Sequence, residues 1–154
     1  MAILLNLAVI FGGQIALSVA RMVLSLYALD LGASAAQAGL LVAILPVCQM
    51  LFALAAGMAA DRYGARWMML GGSLLGAVGF GIAALAGELW ALHVAAVCMG
   101  IWFALILVPV QSLIGTLSTP QNLTRNFANY ALCFSVGNVI APLAAGAVID
   151  GYGH

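Results

Sequence analysis

Five long apolar stretches make up most of the sequence, and each has about the length of a membrane-spanning helix. They cover residues 3–29, 35–60, 67–86, 91–114 and 127–149. A helix needs about 20 predominantly apolar residues to cross the hydrocarbon core of a bilayer. Because backbone polar groups must be satisfied within the membrane, such segments are predicted to be α-helices. The sequence therefore predicts an all-α polytopic membrane protein whose first partner is the lipid bilayer.

The composition excludes several other classes of protein. Hydrophobic residues make up 66% of the chain and charged residues 5%, whereas roughly 25% of the residues in a soluble domain are charged. There is no lysine, and the four arginines are too scattered to form a basic patch for nucleic acid. The three cysteines lie inside apolar stretches without metal-ligand spacing, so neither a metal nor another cofactor is expected.

The charged residues outside the apolar stretches predict the orientation of the chain in the membrane. The arginines of the connections all lie in the second and fourth: Arg62, Arg66 and Arg125. The charged residues of the first and third connections and of the tail are all acidic: Asp30, Glu88 and Asp150. Positively charged residues are retained in cytoplasmic loops. The N-terminus is therefore predicted to be cytoplasmic and the C-terminus external.

A short internal repeat suggests how the helices are organised. The segment 54–64 recurs at 143–153, with seven of eleven positions identical. The first copy closes the second apolar stretch and the second copy closes the fifth, on the opposite predicted side of the membrane. This is expected of an inverted repeat of three plus three helices, although alanine and glycine are abundant enough for a chance alignment. A true repeat predicts a sixth helix after His154, so the chain is expected to be truncated.

The connection between the second and third stretches carries the most specific pattern. Residues 57–66 read G-x-x-x-D-R-x-G-x-R, and this resembles the signature loop between helices two and three of the major facilitator superfamily. The resemblance extends loosely over the whole chain. It implies the N-terminal six-helix half-bundle of a transporter, cut after helix five, with the C-terminal half as the missing partner.

Two interpretations of this signature segment remain open. Gly57 and Gly64 permit a tight turn, and Asp61 with the arginines places charge at the helix ends. The resemblance implies that Asp61 and Arg62 hold the two transporter halves in the outward-facing state, with Arg66 completing the signature. Alternatively, Arg62 and Arg66 are only positive-inside anchors and Asp61 is a helix cap.

A polar stripe on the first helix is the best candidate for contact with a solute. Gln14, Ser18, Arg21 and Ser25 are spaced four, three and four residues apart, so they share one helix face. Arginine in hydrocarbon is costly, which favours a watery cavity for this face, and the family resemblance places helix one at the central cavity. Alternatively, Arg21 extends to the headgroups. Asn138, deep in the fifth helix, requires an interhelical hydrogen bond or a solute.

The fifth helix contains a pattern of small residues around a proline. Residues 137–146 are similar to the G-x-x-x-G-P-x-x-G-G pattern of drug and proton antiporters, with two glycines replaced by alanine. Gly137, Ala141 and Gly146 around Pro142 predict close helix packing and a kink. The likeness favours export. Many proton-coupled members carry an arginine in helix four, and this chain has none there, which leaves the coupling ion open.

Together these features predict part of a secondary transporter that moves a small solute across the bacterial inner membrane by ion-coupled alternating access. One alternative is a five-helix membrane protein with a structural or assembly role, and another is an inactive gene fragment. An intramembrane serine protease is not expected. No G-x-S-G elbow is present, and Ser73 and His93 are predicted to lie toward opposite sides of the membrane.

Overall fold

The computed structural model describes the backbone of residues 2–152 and the side chains of residues 3, 5–143 and 146. Within these residues the only regular secondary structure is five α-helices. They are α1 (Ala2–Asp30), α2 (Ala35–Tyr63), α3 (Ala65–Leu85), α4 (Leu89–Leu117) and α5 (Leu123–Tyr152). The all-α fold predicted from the sequence is confirmed.

Four of the helices in the described part of the chain are long and apolar enough to cross a membrane. They comprise residues 5–30 of α1 and the whole of α2, α3 and α4. Helix α5 is 30 residues long, and its part up to Leu143 carries the polar residues Arg125, Asn126, Asn129 and Asn138. Of the five spans expected from the sequence, the first four are found in the described part of the chain; the fifth, 127–149, extends beyond the described side chains.

The turn between α1 and α2 has the residues that such a turn requires. Gly32 adopts a positive φ of 83°, which glycine tolerates without steric strain. The Ser34 hydroxyl accepts a hydrogen bond from the Gln37 backbone N–H at 3.3 Å, and the Gln37 side chain accepts one from the Ser34 N–H at 2.9 Å. This capping box satisfies two backbone donors at the start of α2.

The connection predicted at residues 61–66 is almost entirely helical, which corrects the sequence interpretation of residues 57–66 as a loop. Helix α2 continues through Asp61 and Arg62 to Tyr63, and α3 begins at Ala65. Only Gly64 interrupts the helices, with φ 89° and ψ 144°, a conformation that essentially only glycine adopts. Its N–H still donates to the Ala60 carbonyl at 2.9 Å. A single glycine therefore suffices to reverse the chain, and the preceding residues remain in the helix.

The chain divides into two compact units. One comprises the residues up to Met22 together with those from Val110 onward, and the other comprises Val23–Pro109. In the second unit, glycines bring α3 against α4 and α4 against α2. A Cβ at Gly76 would lie 2.7 Å from the Trp102 ring, and one at Gly100 would lie 2.7 Å from the Leu45 carbonyl oxygen. Small residues allow this close packing, which stabilises helix pairs in lipid.

Candidate functional site

Three polar side chains meet between α1 and α5 in the first unit. The Gln14 Nε2 donates to Asn138 Oδ1 at 2.6 Å and to Ser18 Oγ at 3.4 Å, and the Ser18 hydroxyl donates to Asn138 Oδ1 at 3.3 Å. Gln14 is only 1% exposed and Ser18 only 7%. The polar stripe therefore turns inward at these two positions, and Asn138 makes the interhelical hydrogen bond that was one of its two expected roles.

A glycine next to Asn138 allows α5 to approach α1 this closely. A Cβ at Gly137 would lie 3.2 Å from Gln14 Cγ and 3.7 Å from Phe11 Cδ2, so even a methyl group would press on the Gln14 side chain. Ala141, one turn further along α5, is fully buried. Gly137 therefore lies at a close contact between α5 and α1, and Ala141 is buried on the same helix.

The other two residues of the helix-five pattern do not take part in packing among the described side chains. Pro142 is exposed, and a Cβ at Gly146 would meet nothing within 4 Å. Helix α5 continues without interruption through Pro142 to Tyr152. The second copy of the internal repeat ends at Gly153, which lies outside the described residues.

Two buried polar atoms on α1 lack a hydrogen-bond partner among the described residues. They are Gln14 Oε1, an acceptor, and Arg21 Nε, a donor. A buried polar atom without a partner costs about 1–3 kcal/mol. Residues 14 and 21 are two helical turns apart and therefore share a face. This face offers one acceptor and one donor to water or to a bound molecule. Ser25, further along the stripe, is half-buried and has an interaction of its own.

The signature segment lies in the second unit, at the junction of α2 and α3. Asp61, Arg62 and Arg66 are all exposed, and the Arg62 guanidinium carbon lies 5.3 Å from the centroid of the Tyr63 ring. Gly57 faces α4, where a Cβ would lie 3.7 Å from Val108 Cγ1. The segment thus has one glycine at a helix contact, one at the turn, and three charged side chains at the surface.

A second polar contact, which the sequence did not predict, joins the end of α4 to the start of α5. The Asn126 amide donates to Ser118 Oγ at 2.8 Å, and the Ser118 hydroxyl donates to the Ile114 carbonyl at 2.6 Å. Asn126 is buried. In the sequence, the amide of Asn126 at the start of an apolar helix indicated a need for a hydrogen-bond partner. Nothing in the sequence indicated that this partner is Ser118, eight residues earlier. Among the described residues no His, Cys, Asp and Glu cluster could hold a metal ion.

Comparison with known proteins establishes the family. The family model of the Major Facilitator Superfamily matches residues 5–153, and the chain belongs to this superfamily of membrane transporters.

Individual relatives agree with this assignment. The chain is similar to "Multidrug resistance protein MdtH" of Yersinia enterocolitica, at 32% identity over 114 residues, which cover 74% of this chain and 28% of the relative. MdtH of Yersinia pestis matches with the same identity and coverage. "Inner membrane transport protein YajR" of Escherichia coli is 29% identical over 126 residues, covering 79% of this chain and 27% of the relative. The chain thus matches little more than a quarter of the length of these relatives.

Proposed function

We propose that this chain forms part of a secondary transporter that moves a small solute across the bacterial inner membrane by alternating access. The observation that carries the proposal is the polar face of α1. There Gln14 and Ser18 bond to Asn138, and two buried polar atoms have no partner among the residues that the structure describes. Polar and ionisable groups are costly within membrane helices and mark solute or ion pathways. Membership of a transporter family supports the proposal.

In this proposal the polar stripe on α1 has two roles: Gln14 and Ser18 hold α1 against α5, and Arg21 contacts the solute. The Gln14–Ser18–Asn138 cluster fixes α1 against α5, because its hydrogen bonds join the two helices. Arg21 is half-buried, and its Nε lacks a partner among the described residues. It therefore suits a polar or anionic group of the solute, which would supply the missing acceptor.

The signature segment would control the balance between inward-facing and outward-facing states. Asp61 and Arg62 are exposed at the end of α2, so they can form ion pairs with groups beyond this helix pair. An interaction made in only one state shifts the population toward that state. The single-residue turn at Gly64 would keep these charges at a fixed place beside α3.

The proposal also includes the direction of transport, its energy source and the orientation of the chain in the membrane. The names of the MdtH relatives concern multidrug resistance, which together with the helix-five pattern supports efflux of drug-like solutes. Transport is proposed to be ion-coupled antiport, because efflux against a gradient requires an energy source. The arginines at 62, 66 and 125 support a cytoplasmic N-terminus.

Reconstitution of the full-length gene product into liposomes tests the transport proposal. Solute flux is measured for the wild type, for Asp61→Asn, and for Asp30→Asn, which removes an exposed carboxylate at the end of α1. We expect Asp61→Asn to slow flux about tenfold, equivalent to about 1.4 kcal/mol, and Asp30→Asn to leave it near the wild-type rate. The proposal fails if the wild type gives no flux with any solute, or if both variants behave alike.

Labelling with a membrane-impermeant maleimide tests the solute pathway separately. In a background without native cysteines, Arg21→Cys is compared with Val23→Cys, which lies at a similar depth and is 46% exposed on this chain. A water-filled pathway predicts rapid labelling at position 21 and protection at position 23. Protection at both positions would place Arg21 away from water and contradict the proposed pathway.

A further inference from the structure

The connection between α3 and α4 borders an open cleft that the proposed transport function does not use. Its volume is about 590 Å³, within the range of about 300–1,000 Å³ that ligand sites occupy. The lining includes Val78, Ile82, Leu85, Glu88 and Trp90. The Tyr27 hydroxyl donates to the carbonyl of Ala86, another lining residue, and so fixes the wall of the cleft to the end of α1.

The polar chemistry of the cleft is concentrated at the start of α4. Of the described residues that line the cleft, only Glu88 is charged, and the Trp90 indole N–H donates to Glu88 Oε2. This bond orients the carboxylate and leaves Oε1 to accept from a ligand. The Trp90 side chain is 66% exposed. A carboxylate that is oriented by an indole N–H and has a free oxygen is a favourable acceptor for an organic ammonium group.

The apolar part of the cleft continues onto an exposed apolar surface of α3. Helix α3 is long and apolar enough to span the membrane, and Val78 and Leu85 are 53% and 88% exposed along it. Tryptophan is enriched at the level of the lipid headgroups, which matches Trp90 at the helix end. A ligand that fits the whole cleft therefore has an apolar chain and a cationic head at the membrane surface.

We propose that this cleft is a binding site for phosphatidylethanolamine, a bilayer lipid, with its ammonium group on Glu88 and its acyl chain along Val78 and Leu85. A primary ammonium group donates up to three hydrogen bonds. Phosphatidylcholine has a quaternary ammonium and donates none, while phosphatidylglycerol has no cation to pair with the carboxylate. The site therefore distinguishes among lipids by the donors of the headgroup.

Lipid retention by the full-length gene product tests this site without any measurement of transport. The protein is released from nanodiscs of equal parts phosphatidylethanolamine and phosphatidylcholine, and the retained lipid is identified by native mass spectrometry. We expect about tenfold enrichment of phosphatidylethanolamine, equivalent to about 1.4 kcal/mol. Glu88→Gln should abolish this enrichment, and Asp30→Asn, which also removes an exposed carboxylate, should preserve it.

Two further arms keep the test decisive if a variant folds poorly. With wild-type protein, stepwise N-methylation of the ethanolamine headgroup should reduce retention progressively, since each methyl group removes a donor. Soluble phosphoethanolamine should not displace the retained lipid, because it has no acyl chain for the apolar cleft. Equal retention of the two lipids, preference for phosphatidylglycerol, enrichment unchanged in Glu88→Gln, or displacement by soluble phosphoethanolamine would overturn the proposal.

Discussion

Replacement of Gly76 by alanine provides a direct test of the packing in the second unit. A Cβ at this position would lie 2.7 Å from Trp102 Cγ and Cδ1 and 2.9 Å from Cδ2. The Trp102 ring is buried and packs edge to face on Phe80, with centroids 5.4 Å apart, and on Phe103, with centroids 6.0 Å apart. The ring therefore has little room to withdraw, so α3 and α4 must separate to admit the methyl group.

The size of the effect follows from two opposing contributions. Overpacking of a well-packed interior costs about 1–3 kcal/mol, and alanine gains about 1 kcal/mol over glycine in helix propensity. Gly71→Ala is the matched control, because it lies on the same helix and its Cβ would meet nothing within 4 Å. The propensity gain is common to both variants. We therefore expect Gly76→Ala to be less stable than Gly71→Ala by about 1–3 kcal/mol.

Unfolding by sodium dodecyl sulfate in mixed micelles, followed by circular dichroism, measures this difference in the free energy of unfolding. The wild type and both variants are titrated under identical conditions. If Gly76→Ala were as stable as Gly71→Ala, the contact between Gly76 and the Trp102 ring would not exist as described. An increase in the stability of Gly71→Ala, taken by itself, would support the gain in helix propensity but not the contact with Trp102.

Three further experiments test other contacts by the same unfolding measurement. A double-mutant cycle with Gln14→Leu and Asn138→Leu should give a coupling of about 0.6 kcal/mol, and at most about 1.7 kcal/mol; zero coupling would contradict the interhelical hydrogen bond. Gly64→Ala should destabilise by about 1–3 kcal/mol because its backbone conformation excludes side chains, whereas Gly12→Ala, with open space around it, should not. Ser34→Ala should cost about 1 kcal/mol through loss of the cap of α2, and an unchanged stability would show that the capping box contributes nothing.

The helices were largely predictable because their cause is local. Long apolar runs must form helices in a bilayer, and residues with special backbone preferences mark the breaks between them. Ser34 caps the start of α2, and Gly64, which the sequence suggested for a tight turn, separates α2 from α3. The extent of the second connection was not predictable, since charged residues such as Asp61 and Arg62 suit a helix end as well as a loop.

The candidate site was predictable only in part. The spacing of Gln14 and Ser18 placed both on one face of α1, and an amide at Asn138 indicated a need for a partner. The bond between Gln14 and Asn138 joins residues 124 positions apart, and helical periodicity contains no information about such a pairing. The cleft beside Glu88 and Trp90 was not foreseen either, because its shape depends on how α3 and α4 pack against each other.

The sequence by itself determined that the chain lies in a lipid bilayer, that its fold is all-α, and roughly where the chain turns. These properties depend on hydropathy and on backbone preferences within a few residues. The tertiary structure decided which small residues are contacts and which polar groups are paired. Gly71 and Gly76 are both glycines within the apolar helix α3, and the sequence does not distinguish their roles. Of these two, only Gly76 faces Trp102. The physical reason is that the rotation of each helix about its axis is set by packing against distant segments, so the identity of a contact is a property of the assembled helices.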